Sequence, residues 1–147
     1  MPDRAAIVTG ASSGIGLAIA EVLAEEGHAL TLVARRPDKL ETAARALARD
    51  GHDVQHVPAN LTDEAAVQQV VAAHKDRYGR LDVLVNSAGM GAGAVITEAD
   101  TKRIDLQLAV NLRAPILFYR EAAELLREAG AEHRNALVIN LSSIAGR

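Results

Sequence analysis

Short apolar runs and longer helical patterns follow one another along the whole chain. The apolar runs predict five strands, at residues 5–8, 29–33, 53–57, 81–85 and 136–141. The segments between them carry apolar residues at helical spacing and predict four helical connections. Runs that are apolar throughout are typical of buried parallel strands. The pattern therefore predicts a doubly wound α/β fold, with helices on both faces of a parallel sheet in the strand order 3-2-1-4-5.

The helical patterns also predict local details. Thr62 is expected to be the N-cap of the third helix. A long helix from Thr101 to about Ala129 should kink at Pro115, which lacks an N–H, and should end at Gly130. The apolar stripe of the first helix is Ile15, Ala18, Ile19, Val22 and Leu23, and that of the long helix is Ile104, Leu108, Leu112, Ile116, Leu117 and Leu125. His74 lies on the apolar face of the third helix with no second ligand four residues later, so a structural role is predicted for it.

Composition restricts the class of protein. Hydrophobic residues make up 49% of the 147 residues, which excludes a disordered chain. The net charge of -3 without a basic patch argues against nucleic acid as a partner. There is no Cys, hence no disulfide or Cys-ligated metal, and no metal site is predicted. The longest uncharged run is broken by Gly and Ser and is no membrane span, so a single-domain, cytoplasmic protein is expected.

A Gly-rich turn joins the first strand to the first helix. Gly10 allows a sharp turn, while Gly14 and Gly16 have no Cβ and allow close approach of a ligand or of the strand. The free N–H groups of the first helical turn, which includes Ile15, suit a phosphate, and Ser12 and Ser13 add hydroxyl donors. The spacing is Gly-x3-Gly-x-Gly, which is neither G-x-G-x-x-G nor a P-loop. The alternative is a turn that merely joins strand and helix.

Two arginines stand at the end of the second strand. In dinucleotide-binding folds an acid there binds the 2′-hydroxyl of NAD, whereas an Arg accommodates the 2′-phosphate of NADP. This chain has Arg35 and Arg36, and no acid before Asp38. The sequence therefore predicts NADP as the cofactor, and the alternative is two solvated arginines before a helix.

Several segments resemble the short-chain dehydrogenase/reductase family. The run Thr9-Gly10-x3-Gly14-Ile15-Gly16 is similar to its nucleotide-binding motif. Asn86-Ser87-Ala88-Gly89 resembles its Asn-Asn-Ala-Gly element, which implies that Asn86, Ala88 and Gly89 brace the sheet and lie against the cofactor ribose. Asn60, followed by Leu61, stands where the family usually has an Asp that meets the adenine amine. An Asn can accept that bond through its carbonyl oxygen, more weakly because it is uncharged.

The resemblance also implies catalytic residues. Asn111, in Asn111-Leu112-Arg113-Ala114-Pro115, matches the segment with the catalytic Asn, and Ser143 matches the catalytic Ser of the segment at 142–147. The implied protein has a Rossmann-type fold and transfers hydride between a nicotinamide and a small carbonyl or alcohol substrate, as a homo-oligomer when complete. The Tyr-x3-Lys of the family is expected beyond Arg147, so residues 1–147 would be the dinucleotide-binding domain. The alternative is a naturally short, non-catalytic dinucleotide-binding or interaction protein.

Overall fold

The computed structural model of the chain describes residues 2–91 and 95–143. Its five strands form one parallel sheet in the order β3-β2-β1-β4-β5, which confirms the predicted doubly wound fold. Residues 144–147, the last part of the segment that begins at Ser142, lie outside the described residues. The strands are β1 (Ala5–Thr9), β2 (Ala29–Ala34), β3 (Val54–Pro58), β4 (Val83–Asn86) and β5 (Leu137–Asn140).

The central strands of the sheet are buried on both faces. Every residue of β1, β2 and β4 is buried, and Val8 on β1 pairs in register with Leu32 on β2 and Val85 on β4. A side chain on either face of such a strand leaves water, so apolar residues are favoured at successive positions instead of alternate ones. This explains why these strands are near-continuous apolar runs in the sequence.

Helices cover the two faces of the sheet. α1 and α2 pack on the face that presents Ala6 and Val8, whereas α3 and α5 pack on the opposite face, which presents Ile7 and Leu84. The side chains of neighbouring residues of β1 thus point into the hydrophobic cores on opposite faces of the sheet, as the pleat of a strand requires. The helices are α1 (Gly14–Glu25), α2 (Pro37–Arg49), α3 (Glu64–Tyr78), α4 (Thr101–Leu108) and α5 (Ala114–His133), with a 3₁₀ turn at Ile96–Glu98.

The buried face of α1 differs from the predicted stripe. Ile15 is 66% exposed and Val22 is 54% exposed, so the prediction is wrong for both. The buried residues of the helix are Gly16, Ala20, Leu23 and Ala24. Because three of these four are Gly or Ala, the backbone of α1 can lie close to the sheet. The prediction followed the spacing of the large apolar residues and gave too little weight to Gly and Ala. It therefore misplaced the buried face of α1.

The N-cap of α3 is Asp63 and not Thr62, which corrects the prediction. The carboxylate oxygen Oδ1 of Asp63 accepts a hydrogen bond of 3.0 Å from the main-chain N–H of Ala65. Thr62 does not cap the helix, because its N–H and its hydroxyl both donate to the side chain of Asn60. The helix ends at Gly79, whose left-handed conformation (φ 69°) places its N–H on the carbonyl oxygen of Lys75.

The long helical pattern folds as two α-helices around a π-helical turn. The turn occupies Ala109–Arg113, directly between α4 and α5. Pro115 lacks the N–H that would bond the Asn111 carbonyl in an α-helix, and the irregular turn therefore precedes the proline. The predicted end at Gly130 is wrong, because α5 continues to His133 and ends at Arg134, which is left-handed with φ 61°.

Part of the apolar stripe of the long helical segment faces outward. Leu117 and Leu125 of α5 are buried, but Leu108, Leu112 and Ile116 are more than half exposed. The three apolar residues of the edge strand β5, Leu137, Val138 and Ile139, are exposed as well. Three of these exposed residues, Leu112, Ile116 and Val138, line one open cleft at the carboxyl ends of the strands.

A buried polar network lies between the sheet and α3. The hydroxyl of Thr31 on β2 is 2.7 Å from Nδ1 of His74, and Nε2 of His74 is 2.8 Å from the carbonyl oxygen of Arg80. The side-chain amide of Gln55 on β3 donates to the same hydroxyl at 2.8 Å. His74 and Thr31 are both fully buried. The structural role predicted for His74 is thereby confirmed.

Two features of the described residues limit the kinds of site they can form. No helix among them is long and apolar enough to cross a membrane. No group of three or more His, Cys, Asp or Glu among them could hold a metal ion.

Candidate cofactor and active site

One open cleft at the carboxyl ends of the strands collects nearly all of the predicted site residues. Its volume is about 1510 Å³, and it lies where doubly wound sheets bind ligands. Of the predicted residues, Gly14 alone is not part of its lining. The lining includes Gly10, Ser12, Ser13, Ile15, Gly16, Arg35, Arg36, Asn60, Leu61, Asn86, Ala88, Gly89, Asn111 and Ser143.

Two glycines of the Gly-rich turn, Gly10 and Gly16, have no room for a side chain. Gly10 has φ 68°, and a Cβ there would lie 2.8 Å from the main-chain nitrogen of Ala88. A Cβ on Gly16 would clash with the carbonyl oxygen of Gly10. Gly16 is thus required by the packing of the turn against itself. Gly14 has φ 58° with open space around the Cβ position, so its conformation is what favours glycine there.

The amino end of α1 opens into the cleft. Ser13 is the N-cap, yet within the described chain its side chain makes no capping hydrogen bond. The first N–H groups of a helix have no partners inside the helix, and the helix dipole places partial positive charge there. Together with the Ser12 and Ser13 hydroxyls, this end of α1 can bind a phosphate or pyrophosphate.

Thr9 fixes the loop that follows β4. Its buried hydroxyl oxygen accepts hydrogen bonds of 3.1 Å from the main-chain N–H groups of both Ser87 and Ala88. This loop therefore lies directly against the Gly-rich turn. Thr9 was not among the predicted site residues, although its place at the end of β1, before Gly10, is a signal that could have identified it.

The ends of β4 and β5 are tied by two asparagines. The amide nitrogen Nδ2 of Asn86 donates to Oδ1 of Asn140 at 2.9 Å. The two residues are also partners in the parallel register. This bond sets the end of β5, from which the chain continues to Ser143. Ser143 is exposed and lines the cleft.

Asn111 lies in the π-helical turn and holds the loop after β4 from the other side. Its Oδ1 accepts from the main-chain N–H of Met90 at 2.9 Å, and its Nδ2 donates to the carbonyl oxygen of Met90 at 2.8 Å. Gln107, one turn earlier, also donates to the Met90 carbonyl, at 3.4 Å. The side chain of Asn111 thus braces the backbone of this loop, and Gln107 is a bracing residue that the sequence did not reveal.

The π-helical turn is also anchored to the amino end of α3. Arg113 donates to a carboxylate oxygen of Glu64 at 2.7 Å, and Arg120 donates to the other carboxylate oxygen at 2.6 Å. Hydrogen bonds from Arg120, together with the charges of both arginines, hold the pKa of Glu64 below its ordinary value. Because all three side chains are well exposed, this cluster contributes little to stability, and its effect is to orient the turn that carries Asn111.

Three positively charged side chains lie close to the end of β2. Arg35 and Arg36 follow the strand directly, are exposed and line the cleft, as does Lys39 in the first turn of α2. Among the ion pairs of the described residues, none involves these three cations. They are therefore available to an anionic ligand, and Lys39 is an addition to the predicted set.

Asn60 and Leu61 line the cleft two and three residues after β3. Leu61 is buried, while Asn60 is exposed. The N–H of Ala59 donates to the carbonyl oxygen of Ala34 at 3.0 Å, so this segment lies beside the arginines that follow β2. The side-chain oxygen of Asn60 accepts from the N–H of Thr62 at 3.2 Å and from its hydroxyl at 3.0 Å. That oxygen is therefore turned toward Thr62, which differs from the expectation that it is offered to a ligand.

Comparisons with known proteins agree with this geometry. A family model described as short chain dehydrogenase matches residues 4–147. An uncharacterized oxidoreductase of Staphylococcus aureus is 35% identical over 146 residues, which are 99% of this chain and 61% of the relative. The chain therefore spans less than two thirds of that relative's length.

Solved structures share the fold. The L-sorbose reductase of Gluconobacter frateurii, complexed with NADPH and L-sorbose, matches 96% of this chain with a TM-score of 0.89 and 35% identity, over 52% of its own length. A short chain dehydrogenase/reductase of Burkholderia phymatum, in complex with NAD, matches 97% with a TM-score of 0.90 and 29% identity, over 50% of its own length. In both cases the amino-acid sequences are similar as well as the folds.

Proposed function

The chain belongs to the short-chain dehydrogenase family, and we propose that it binds NADP(H) for hydride transfer between the nicotinamide and a carbonyl or alcohol carbon of a small molecule. The observation that carries this proposal is the single cleft in which the amino end of α1 and the cations after β2 both lie. The two solved relatives, one bound to NADPH and one to NAD, support a nicotinamide dinucleotide as the ligand. Residues 1–147 would form its dinucleotide-binding domain.

The two phosphate-bearing parts of the dinucleotide have separate partners in the cleft. The pyrophosphate would be held by the N–H groups of the Gly-rich turn and of α1 at Ile15, with the hydroxyls of Ser12 and Ser13. Asn86, Ala88 and Gly89 would flank the ribose. The 2′-phosphate would be held by Arg35 and Arg36, which directly follow β2, the strand next to β1.

Titration of the purified protein with NADPH and with NADH tests the cofactor. A hydrogen bond to a charged group contributes about 1.5–3 kcal/mol, so NADPH should bind roughly ten- to a hundredfold more tightly. Arg35→Ala should remove most of this difference and leave NADH binding unchanged. Arg45→Ala is the matched control, because Arg45 is an exposed arginine of α2 that pairs with Glu41 and does not line the cleft. Equal affinities for both dinucleotides in the unaltered protein would contradict the choice of NADP.

The chemistry at the substrate would begin with Ser143. Its hydroxyl would donate to the substrate oxygen, while Asn111 keeps the loop around Met90 in place. Reduction of a carbonyl also needs a proton, and help from a general acid contributes about 10²–10⁴-fold. The chain has two tyrosines, Tyr78 and Tyr119, and neither has a Lys four residues later.

Neither tyrosine is suited to the proton transfer. The hydroxyl of Tyr78 is buried against the carbonyl oxygen of Leu30, and burial raises its pKa above the ordinary value. Tyr119 lines the cleft without a lysine at the family spacing. Residues 1–147 alone should therefore bind NADPH without oxidising it in the presence of a carbonyl compound. Turnover by the 15.5 kDa species, with its mass verified, would contradict this expectation.

A further inference from the structure

Burial does not fix the position of the π-helical turn. Neither α4 nor the turn at Ala109–Arg113 contains a buried residue. The next buried residue along the chain is Ala114, at the start of α5. A segment with few buried apolar contacts opens more easily than the core of a protein. The position of the turn therefore depends on polar contacts with neighbouring elements.

One carboxylate joins the turn to the amino end of α3. Oε2 of Glu64 accepts a hydrogen bond of 2.7 Å from Nη2 of Arg113, the last residue of the turn. Nη1 of the same guanidinium donates to the carbonyl oxygen of Thr62 at 3.4 Å. The other carboxylate oxygen of Glu64 accepts from Arg120 at 2.6 Å. Both oxygens of Glu64 are thus engaged, and Arg113 is held at two points.

The same turn holds the loop after β4 through Asn111. The side chain of Asn111 is hydrogen-bonded to both main-chain polar groups of Met90. Asn111 precedes Arg113 by two residues, so a shift of Arg113 displaces the side chain that holds Met90. Met90 and Thr62 both line the cleft. Glu64 thus connects, through the turn, the loops that follow β3 and β4.

We propose that Glu64 is a positioning residue for dinucleotide binding, which acts through Arg113 to keep Asn111 on the backbone of Met90. The effect on affinity rests on the proposed function, whereas the effect on the Met90 loop requires no ligand. Exposed ion pairs add little to global stability, but the opening of a segment depends on the contacts of that segment alone. Salt screens exposed ion pairs, so the connection should loosen as the ionic strength rises.

The hydrogen-exchange rate of the Met90 amide, measured by NMR spectroscopy on the unliganded full chain, tests this connection, because that N–H donates to Asn111. Glu64→Gln has no charge and one acceptor oxygen, so at most one of the two arginines keeps its bond. We expect it to raise the exchange rate of Met90 about two- to fivefold. The matched control is Glu121→Gln, since Glu121 also pairs with Arg120 but lies outside the turn. High salt should speed the exchange in the unaltered protein and in the control, and have little effect in Glu64→Gln.

Calorimetric titration with NADPH shows whether the effect reaches the ligand. Glu64→Gln should bind NADPH about two- to fivefold more weakly than Glu121→Gln, which loses the same charge. In an Asn111→Leu background Glu64→Gln should cause no further loss, because the residue through which it acts is already absent. An unchanged exchange rate of Met90, equal affinities of Glu64→Gln and Glu121→Gln, or additive losses in the double variant would overturn this proposal. If the unaltered protein does not bind NADPH, the proposed function is overturned instead, whatever the exchange rate of Met90.

Discussion

Acidification below pH 6.5 should destabilise the folded chain through His74. Gln55 donates to the Thr31 oxygen, and the Arg80 carbonyl can only accept, so the hydrogen bonds are all satisfied when Thr31 donates to Nδ1 and the neutral ring donates from Nε2. A protonated ring would donate from both nitrogens and leave the Thr31 hydrogen without an acceptor. Burial opposes the charge in addition and lowers the pKa of His74 from 6.5 to about 4.

The size of the effect follows from this shift. Between pH 6.5 and about 4 the unfolded chain holds a proton on His74 that the folded chain does not. The free energy of unfolding therefore rises with pH in this interval, by at most about 1.4 kcal/mol per pH unit. The contribution of neutral His74 to the free energy of unfolding is fully present above pH 6.5 and is lost progressively as the pH falls toward 4. The lowering of the His74 pKa from 6.5 to about 4 corresponds to roughly 3 kcal/mol, a large share of the stability of a small domain.

Urea unfolding at a series of pH values from about 7.5 to about 4.5 measures this term. His74→Gln has no titrating ring, so its free energy of unfolding should fall less steeply with acid than that of the unaltered protein. His56→Gln is the matched control, because it makes the same substitution at an exposed position of β3. All three proteins have the same carboxylates, so the comparison between the two variants isolates the buried histidine. An identical pH slope for the unaltered protein and His74→Gln would refute the reasoning.

Three substitutions test how the cleft is held together. Gly16→Val places a Cβ against the Gly10 carbonyl, so it should abolish dinucleotide binding while the far-ultraviolet circular dichroism stays unchanged; normal binding would contradict the proposed phosphate site. Thr9→Val leaves two main-chain N–H groups without their acceptor and should lower stability by about 2 kcal/mol or more in urea unfolding, whereas Thr9→Ser should restore it. Asn111→Leu releases Met90 and should weaken NADPH binding in a titration with little loss of stability, since the side chain is exposed; unchanged affinity would show that this brace is dispensable.

The sequence predicted the sheet because burial on both faces has a direct sequence signature. A strand such as β1, buried at every position, must be apolar at every position. Once the strands are known, the rule that ligands bind at their carboxyl ends brings the separate motifs into one cleft. Arg35, Asn60 and Ser143 were therefore expected near one another, although each lies 25 or more positions from the next in the sequence. All three line the same cleft.

Features that depend on packing between elements were not predictable in this way. Thr62 and Asp63 are equally good capping residues by type, and the choice was made by Asn60, which engages Thr62. Leu112 and Ile116 have the spacing of a buried stripe, but no described element packs on them. The π-helical turn likewise has no signature beyond Pro115. In each case the deciding contact comes from another part of the fold, which a local pattern does not contain.

The polar residues of the motifs divide into two kinds by what their side chains contact. The Thr9 hydroxyl and the Asn86 and Asn111 amides all bond to other parts of the protein, and each holds a loop or a strand end at the cleft. The contacts left for a dinucleotide are main-chain N–H groups, serine hydroxyls and arginines. Loss of a buried bracing residue such as Thr9 should therefore lower stability and affinity together, and loss of the exposed Asn111 should lower affinity through the loop that it holds. Loss of an arginine such as Arg35 should lower affinity without any change in stability or loop structure. Measurement of stability and of NADPH affinity on the same variants distinguishes bracing residues from ligand-binding residues. A variant of a bracing residue that lost affinity without any change in stability or loop structure would contradict this division.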